Sequence, residues 1–201
     1  MGKKTQIVFV LDRSGSMLSV AEDAVGGFNA FLAEQQKAPQ GKRFTLIQFD
    51  HEYRVDYDKV KLGEVRPLVN GQSYVPRGCT ALMDAVARAL AIVSDTDRAI
   101  VAVYTDGREN ASIEVTKDAL KKLIKQAQKR GVEVLFLASD VKPEYITSMT
   151  GLQRSKIASV DKGDMVATMT VASGRATAYA TSGAGMARGL QEDYDNITDT
   201  D

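Results

Sequence analysis

The sequence contains few of the side chains on which most protein metal and redox sites depend. Its 201 residues include one cysteine, Cys79, one histidine, His51, and no tryptophan. A single cysteine excludes an intrachain disulfide and a zinc site built from thiolates. A single histidine argues against a histidine-rich metal site, and we expect His51 to be a solvated turn residue. A metal site in this chain would therefore rely on oxygen ligands.

The sequence also lacks an excess of one charge and a long apolar run. Lys and Arg total 26 residues and Asp and Glu total 26, so the formal net charge is zero. That balance creates no overall field favouring nucleic acid or an anionic membrane. No apolar run approaches the roughly 20 residues that span a bilayer, and the first apolar stretch ends at Asp12, too early for a signal peptide. We therefore expect a cytoplasmic protein that binds neither nucleic acid nor a membrane, and leave its oligomeric state open.

The length and hydrophobic content suit a single domain. A chain of 201 residues with 44% hydrophobic residues can build one sizeable core. We assign residues 1–188 to this domain and residues 189–201 to an acidic tail. From Gln191 onward there are five acidic residues and no basic residue, a composition that predicts disorder.

Apolar runs alternate with helical patterns along most of the chain. Strands are predicted at residues 7–11, 44–49, 53–57, 98–104, 132–137 and 155–160. Helices are predicted at residues 20–37, 82–93, 116–130 and 143–151, and over most of 161–185 with a possible break at Gly174. This alternation indicates an α/β fold with a doubly wound, mostly parallel sheet and helices on both faces. The short turn at residues 50–52 predicts one antiparallel edge strand.

The most informative stretch, Asp12-Arg13-Ser14-Gly15-Ser16, comes directly after the first strand. A carboxylate and two hydroxyls occupy alternate positions, and Gly15 permits a turn that brings their oxygens together. Such an oxygen cluster suits a hard divalent cation such as Mg²⁺. Asp106 likewise follows the strand at 98–104. If those two strands are neighbours, Asp12 and Asp106 meet where doubly wound sheets bind ligands.

The segment DRSGSM after an apolar strand resembles the Asp-x-Ser-x-Ser signature of the von Willebrand factor type A family. The resemblance covers roughly residues 5–160 and implies a Rossmann-like fold with a metal-ion-dependent adhesion site. That site adds a Thr and an Asp from two further loops, which correspond here to Thr80 and Asp106. It implies direct ligation by Ser14, Ser16 and Thr80, with Asp12 and Asp106 binding directly or through water.

The resemblance also implies a function. The expected cofactor is Mg²⁺, with Mn²⁺ or Ca²⁺ as alternatives, and the expected partner is a protein that offers an Asp or Glu carboxylate to the ion. No catalytic residue is expected. Four charged residues near the motifs would be either solvated loop charges or a rim that selects acidic partners. They are Arg13, Arg77, Arg108 and Glu109.

Several alternatives stay open at this point. Thr80 precedes a predicted helix and could serve as its N-cap. We expect Cys79 to pack beside the site rather than oxidise. A Mg²⁺-dependent phosphatase of the haloacid dehalogenase type would need a second Asp where Ser14 stands, and no Ser-His-Asp set surrounds His51. A structural homo-oligomeric component is the third possibility.

Overall fold

The computed structural model describes residues 5–37, 41–93, 98–160, 165–182 and 190–198. Its six strands are β1 (Thr5–Asp12), β2 (Lys42–Phe49), β3 (Tyr53–Lys61), β4 (Arg98–Thr105), β5 (Val132–Ser139) and β6 (Ile157–Val160). They form one sheet in the order β3-β2-β1-β4-β5-β6. Only β3 runs antiparallel to its neighbour, so the predicted antiparallel edge strand is confirmed.

Six α-helices accompany the sheet within these residues. They are α1 (Ala21–Lys37), α2 (Leu82–Ile92), α3 (Lys117–Lys129), α4 (Pro143–Thr150), α5 (Met165–Ser182) and α6 (Leu190–Thr198). Short 3-10 helices cover Gly15–Val20, Leu62–Glu64 and Arg154–Lys156. None of the described helices is both long enough and apolar enough to span a membrane.

Strand β1 lies at the centre of the sheet and all eight of its residues are buried. Its alternate side chains enter two separate cores. Phe9 packs on one face against Phe28 and Phe31 of α1, with ring centroids 5.5 and 5.2 Å apart. Val8 and Val10 lie on the other face, in the core that includes residues of α2, α3 and α4. A continuous apolar run fits this position because both faces of the strand are covered.

The strand order reverses at the centre of the sheet, where β1 pairs with both β2 and β4. The three strands are parallel, so their carboxyl ends share one edge of the sheet. Asp12 ends β1, opposite Phe49 at the end of β2, while Leu11 lies opposite Tyr104 of β4. This edge is the topological switch point, where open α/β sheets place their ligands.

Two predictions for the end of the chain differ from the structure. Helix α5 continues through Gly174 without a break, and residues 161–164 and 183–189 lie outside the described part. Disorder was predicted from residue 189, whereas Leu190–Thr198 forms α6 with Leu190 fully buried. The Gln191 side chain accepts a hydrogen bond from the Ser159 amide of edge strand β6, at 2.8 Å. These tertiary contacts stabilise α6, although its acidic composition alone favours disorder.

Candidate metal centre at the carboxyl ends of β1 and β4

Asp12 is held in one orientation at the end of β1. It is fully buried, and its Oδ1 accepts a hydrogen bond from the Ser14 amide at 2.7 Å. Its Oδ2 accepts one from the Thr105 hydroxyl at 2.5 Å. The buried Tyr74 hydroxyl donates to the Asp12 carbonyl oxygen at 2.7 Å. The carboxylate therefore cannot rotate without breaking hydrogen bonds to two different strand ends.

The electrostatic environment of Asp12 disfavours its charged form. The pKa of this carboxyl is raised from 3.8 to about 6, chiefly by burial and to a smaller extent by the nearby Asp106, against the opposing effect of the hydrogen bonds from Thr105 and Ser14. Burial has this effect because the ionised form loses its hydration. A cation at this point would reverse the preference, since it would favour the charged carboxylate.

Two serine hydroxyls connect Asp12 to Asp106. The Ser14 and Ser16 hydroxyl oxygens lie 3.1 Å apart, and Ser16 donates to Asp106 Oδ1 at 2.6 Å. Ser14 is buried whereas Ser16 is exposed. The oxygens therefore form a row that begins inside the molecule and reaches solvent.

Thr80 approaches the same point from a third loop. A Cβ built on Gly107 would lie 3.0 Å from the Thr80 hydroxyl oxygen and 3.5 Å from that of Ser16. The alternative role for Thr80 is wrong, because the residue that precedes α2 is Ala81 and the first-turn amides of Met83 and Asp84 donate to Glu109 and Ser112 instead. The structure thus brings together all five residues predicted for the metal site.

The donor set matches the chemistry of a hard cation. It consists of two carboxylates and three hydroxyls, all of them oxygen ligands of the kind that Mg²⁺ and Ca²⁺ prefer. Within the described ranges no group of three or more His, Cys, Asp and Glu side chains is placed to hold a metal. The hydroxyls would consequently have to supply part of the coordination shell. Gly107 leaves open the space between Ser16 and Thr80 that a side chain would fill.

Backbone hydrogen bonds connect the loop that follows β1 to the loop that precedes α2. The Gly15 amide donates to the Gly78 carbonyl at 3.0 Å, and the Arg77 amide donates to the Arg13 carbonyl at 2.7 Å. A Cβ on Gly15 would lie 3.2 Å from that Gly78 oxygen, so the close approach favours glycine. These bonds fix the position of residues 13–16 relative to residues 77–80.

Asp50 is a positioning residue of the candidate site that the sequence did not reveal. It follows β2, as Asp106 follows β4, and it is fully buried. Its Oδ2 lies 3.1 Å from Arg13 Nε and 2.9 Å from Arg77 Nε, while its Oδ1 accepts from the Glu52 amide at 2.6 Å. Its carbonyl also accepts a hydrogen bond from the Ala81 amide at 2.8 Å. Asp50 therefore positions two of the three loops that carry the candidate ligands, the one after β1 and the one before α2.

The loop after Asp106 is fixed to the start of α2. The amides of Asn110 and Ala111 donate to the Thr80 carbonyl at 3.0 and 3.2 Å. Glu109 accepts hydrogen bonds from the amides of Met83, Ala111 and Ser112. Its carboxylate is therefore used inside the loop rather than at a rim.

The three arginines predicted near the site lie in different environments. Arg13 is buried, and Arg77 pairs with Asp50 and Glu52. Arg108 is exposed, with its guanidinium carbon 5.6 Å from the centre of the Tyr145 ring.

Cys79 was predicted to pack beside the site and His51 to be a solvated turn residue, and both are exposed. Cys79 is exposed, so the prediction that it packs is wrong. His51 is exposed in its turn, as predicted, with Nδ1 3.4 Å from Asp50 Oδ1.

Comparison with known proteins agrees with this architecture. The sequence model of the von Willebrand factor type A domain matches residues 6–175. No curated protein is a match to the chain. Among solved structures, the vWF domain of the type V pili tip protein Mfa5 from Porphyromonas gingivalis has a TM-score of 0.71 at 11% identity, covering 92% of this chain and 99% of that one.

Two further structures have the same fold. The pilus adhesin SpaC from Lactobacillus rhamnosus GG has a TM-score of 0.68 at 17% identity over 87% of this chain, which spans 31% of the SpaC chain. A von Willebrand factor type A protein from Catenulispora acidiphila has a TM-score of 0.63 at 12% identity, covering 88% of this chain and 43% of that one. With the family match over residues 6–175, the chain belongs to the von Willebrand factor type A domain family.

Proposed function

We propose that this chain is a protein-binding module that depends on a divalent cation and captures an Asp or Glu side chain of its partner. The observation that supports this most strongly is the convergence of oxygens from three loops at the switch point. Ser16 is hydrogen-bonded to Asp106 and lies 3.1 Å from Ser14, and the Gly107 position adjoins both Ser16 and Thr80. We expect these residues, together with Asp12, to hold Mg²⁺, or in its place Mn²⁺ or Ca²⁺.

The residues of the site differ in what they would contribute. Both oxygens of Asp12 already accept hydrogen bonds, so its charge is anchored below the open end of the site. Ser16 is the exposed member of the row and marks where a partner would approach. Mg²⁺ takes six oxygen ligands and readily keeps exchangeable positions, so the bound ion would supply a coordination position for a partner's carboxylate.

The residues at and near the site also favour a binding role over hydrolysis. The position that a phosphatase of the haloacid dehalogenase type would give to its general acid holds Ser14, whose hydroxyl does not act as an acid near neutral pH. His51 lies beside Asp50 and Gly78 rather than beside Ser14. SpaC is described as a pilus adhesin and Mfa5 as a pilus tip protein, which supports a non-enzymatic role for the shared domain.

The cation is tested by calorimetry on the full chain. Mg²⁺, Mn²⁺ and Ca²⁺ are titrated into the wild type, Asp106→Asn and the control Asp58→Asn, which changes an exposed carboxylate on the edge strand. We expect one ion per chain for the wild type and the control. Asp106→Asn should bind at least about 10-fold more weakly, because losing even an indirect ligand has effects of that order. Equal affinity in all three proteins would refute the assignment.

The protein-binding role is tested by capturing partners from source lysate with Mg²⁺ and again with EDTA. We expect capture in Mg²⁺ by the wild type and by Thr181→Ala, an exposed threonine of α5, but not by Thr80→Ala. Both variants should keep stabilities within about 1 kcal/mol of the wild type. If Thr80→Ala captures the same proteins at wild-type strength, the partner binds another surface.

A further inference from the structure

The charged residues around the candidate metal centre are not equivalent. Arg13 and Arg77 are paired with the buried Asp50, and Glu109 accepts hydrogen bonds from backbone amides. Arg108 makes no ion pair with any carboxylate in the part of the chain that the structure describes. It is exposed, and its guanidinium is placed over the ring of Tyr145.

We propose that Arg108, held on Tyr145, binds a second acidic side chain of the same partner segment whose first carboxylate meets the metal. This inference rests on the proposed function and adds a sequence requirement to it. The partner would carry two acidic residues in an extended segment rather than one isolated carboxylate.

The position of Arg108 follows from the order of the strands. It comes two residues after Asp106 and directly after Gly107, the residue that adjoins Thr80. Tyr145 belongs to α4, which follows β5, the neighbour of β4 on the side away from β1. The guanidinium is therefore displaced from the metal centre toward β5. Because neighbouring strands lie about 4.8 Å apart, the displacement is on the order of 5 to 10 Å.

This spacing matches a peptide geometry. In an extended segment, residues two positions apart face the same side at a separation of roughly 7 Å. One carboxylate could therefore reach the site of Ser16 and Asp106 while the carboxylate of the residue two positions away reaches Arg108. A segment of the type Asp-x-Asp, with Glu allowed at either place, fits the distance best.

The chemistry of a stacked guanidinium suits this role. Arginine offers a planar fork of donors that bind a carboxylate in pairs, and a ring against its face leaves the edge donors accessible. Contact with Tyr145 also restricts the side chain before binding, which lowers the entropy lost on forming the complex. A lysine would lack both the fork and the stacked plane.

The test uses three short peptides and the full chain labelled with ¹⁵N. The probes are acetyl-Gly-Asp-Gly-Asp-Gly-amide and its two variants with Asn in place of the first or the second Asp. Each is titrated by NMR in saturating Mg²⁺ and in EDTA. We expect all three to bind only in Mg²⁺, and the peptide with two acids to bind about threefold to fivefold more tightly than the better of the others, as for an exposed ion pair. The advantage should shrink between about 20 and about 500 mM NaCl.

Variants assign the advantage to one residue. Arg108→Gln should remove it while leaving the binding of single-acid peptides unchanged. Arg66→Gln is the matched control, since Arg66 is exposed and follows β3 at the other end of the sheet. Tyr145→Phe keeps the ring and should retain the advantage, whereas Tyr145→Ala should reduce it.

The outcomes separate this inference from the function on which it rests. If single-acid and two-acid peptides bind with equal affinity in Mg²⁺, or if Arg108→Gln retains the difference in affinity, Arg108 does not bind a second acidic side chain. The inference is then overturned. If no peptide shows binding that depends on Mg²⁺, the proposed function itself is contradicted, and the inference is overturned with it.

Discussion

Replacing Asp12 with asparagine should stabilise the metal-free protein above about pH 6. Burial raises the pKa of this carboxyl from 3.8 to about 6, and a difference of that size corresponds to roughly 3 kcal/mol of unfavourable free energy for the charged form in the folded protein. Asp12→Asn removes the charge at nearly constant volume. We therefore expect the free energy of unfolding in EDTA to rise by up to about 3 kcal/mol at about pH 8.

The hydrogen bonds around Asp12 can accommodate the amide. Its oxygen can accept from the Ser14 amide as the carboxylate Oδ1 does. Its NH₂ group can donate to the Thr105 hydroxyl, which then directs its own hydrogen to the Gly107 carbonyl, 3.2 Å away. No buried partner loses its hydrogen bond, so the gain from removing the charge should not be cancelled.

The pKa of Asp12 also determines how the stability difference between the variant and the wild type changes with pH. Between pH 3.8 and about 6 the folded protein holds a proton on Asp12 that the unfolded chain has lost. The stability that this group contributes is thus fully present below pH 3.8 and is lost as the pH rises through about 6. The difference between Asp12→Asn and wild type should therefore be largest above that range and vanish below it.

The assay is urea unfolding in EDTA across this pH range, repeated in Mg²⁺. Asp58→Asn is the control, because its carboxylate is exposed and should show no comparable gain. Mg²⁺ should stabilise the wild type by mass action but not Asp12→Asn. A variant no more stable than the wild type in EDTA at about pH 8 would refute the electrostatic reasoning. Equal stabilisation of both proteins by Mg²⁺ would contradict the metal assignment.

Three further changes test other parts of the structure. Gly107→Ala places a Cβ 3.0 Å from the Thr80 hydroxyl, so Mg²⁺ affinity by calorimetry should fall at least about 10-fold, and unchanged affinity would show that the ion lies elsewhere. Asp50→Asn leaves the buried Arg13 without its carboxylate and should lower the unfolding free energy in urea by about 3 to 5 kcal/mol; a loss below about 1 kcal/mol would contradict the buried pairing. A chain ending at residue 189 loses the buried Leu190 and should unfold about 2 to 4 kcal/mol more easily, whereas an unchanged melting temperature would mean that α6 is not docked.

The sequence predicted the sheet well because its central strands are covered on both faces. The apolar run that contains Phe9 could be stable only as a strand of this kind. The short turn after β2 likewise allowed only an antiparallel partner. The three motif loops were predictable because each follows or precedes an element that the apolar pattern locates.

The parts that were not predicted depend on contacts between distant residues. Asp50 looks like an ordinary turn residue in sequence, and only the fold brings Arg13 and Arg77 to it. Helix α6 has an acidic composition typical of disorder, yet Leu190 is buried and Asp193 lies 2.7 Å from Arg175. Such pairings carry no local signal, since the partners are separated by many residues and meet only after folding.

The hydrogen bonds that join the loops of the candidate metal centre have a consequence for the kinetics of binding. The amides of Gly15, Arg77 and Asn110 are paired with backbone carbonyls of neighbouring loops. Connecting segments usually exchange their amide hydrogens quickly, because they open locally without global unfolding. Here the loops should exchange as slowly as the strands they follow. An ion arriving at the site would then find its ligands already ordered, and its association rate would be set by dehydration of the ion rather than by closure of a loop.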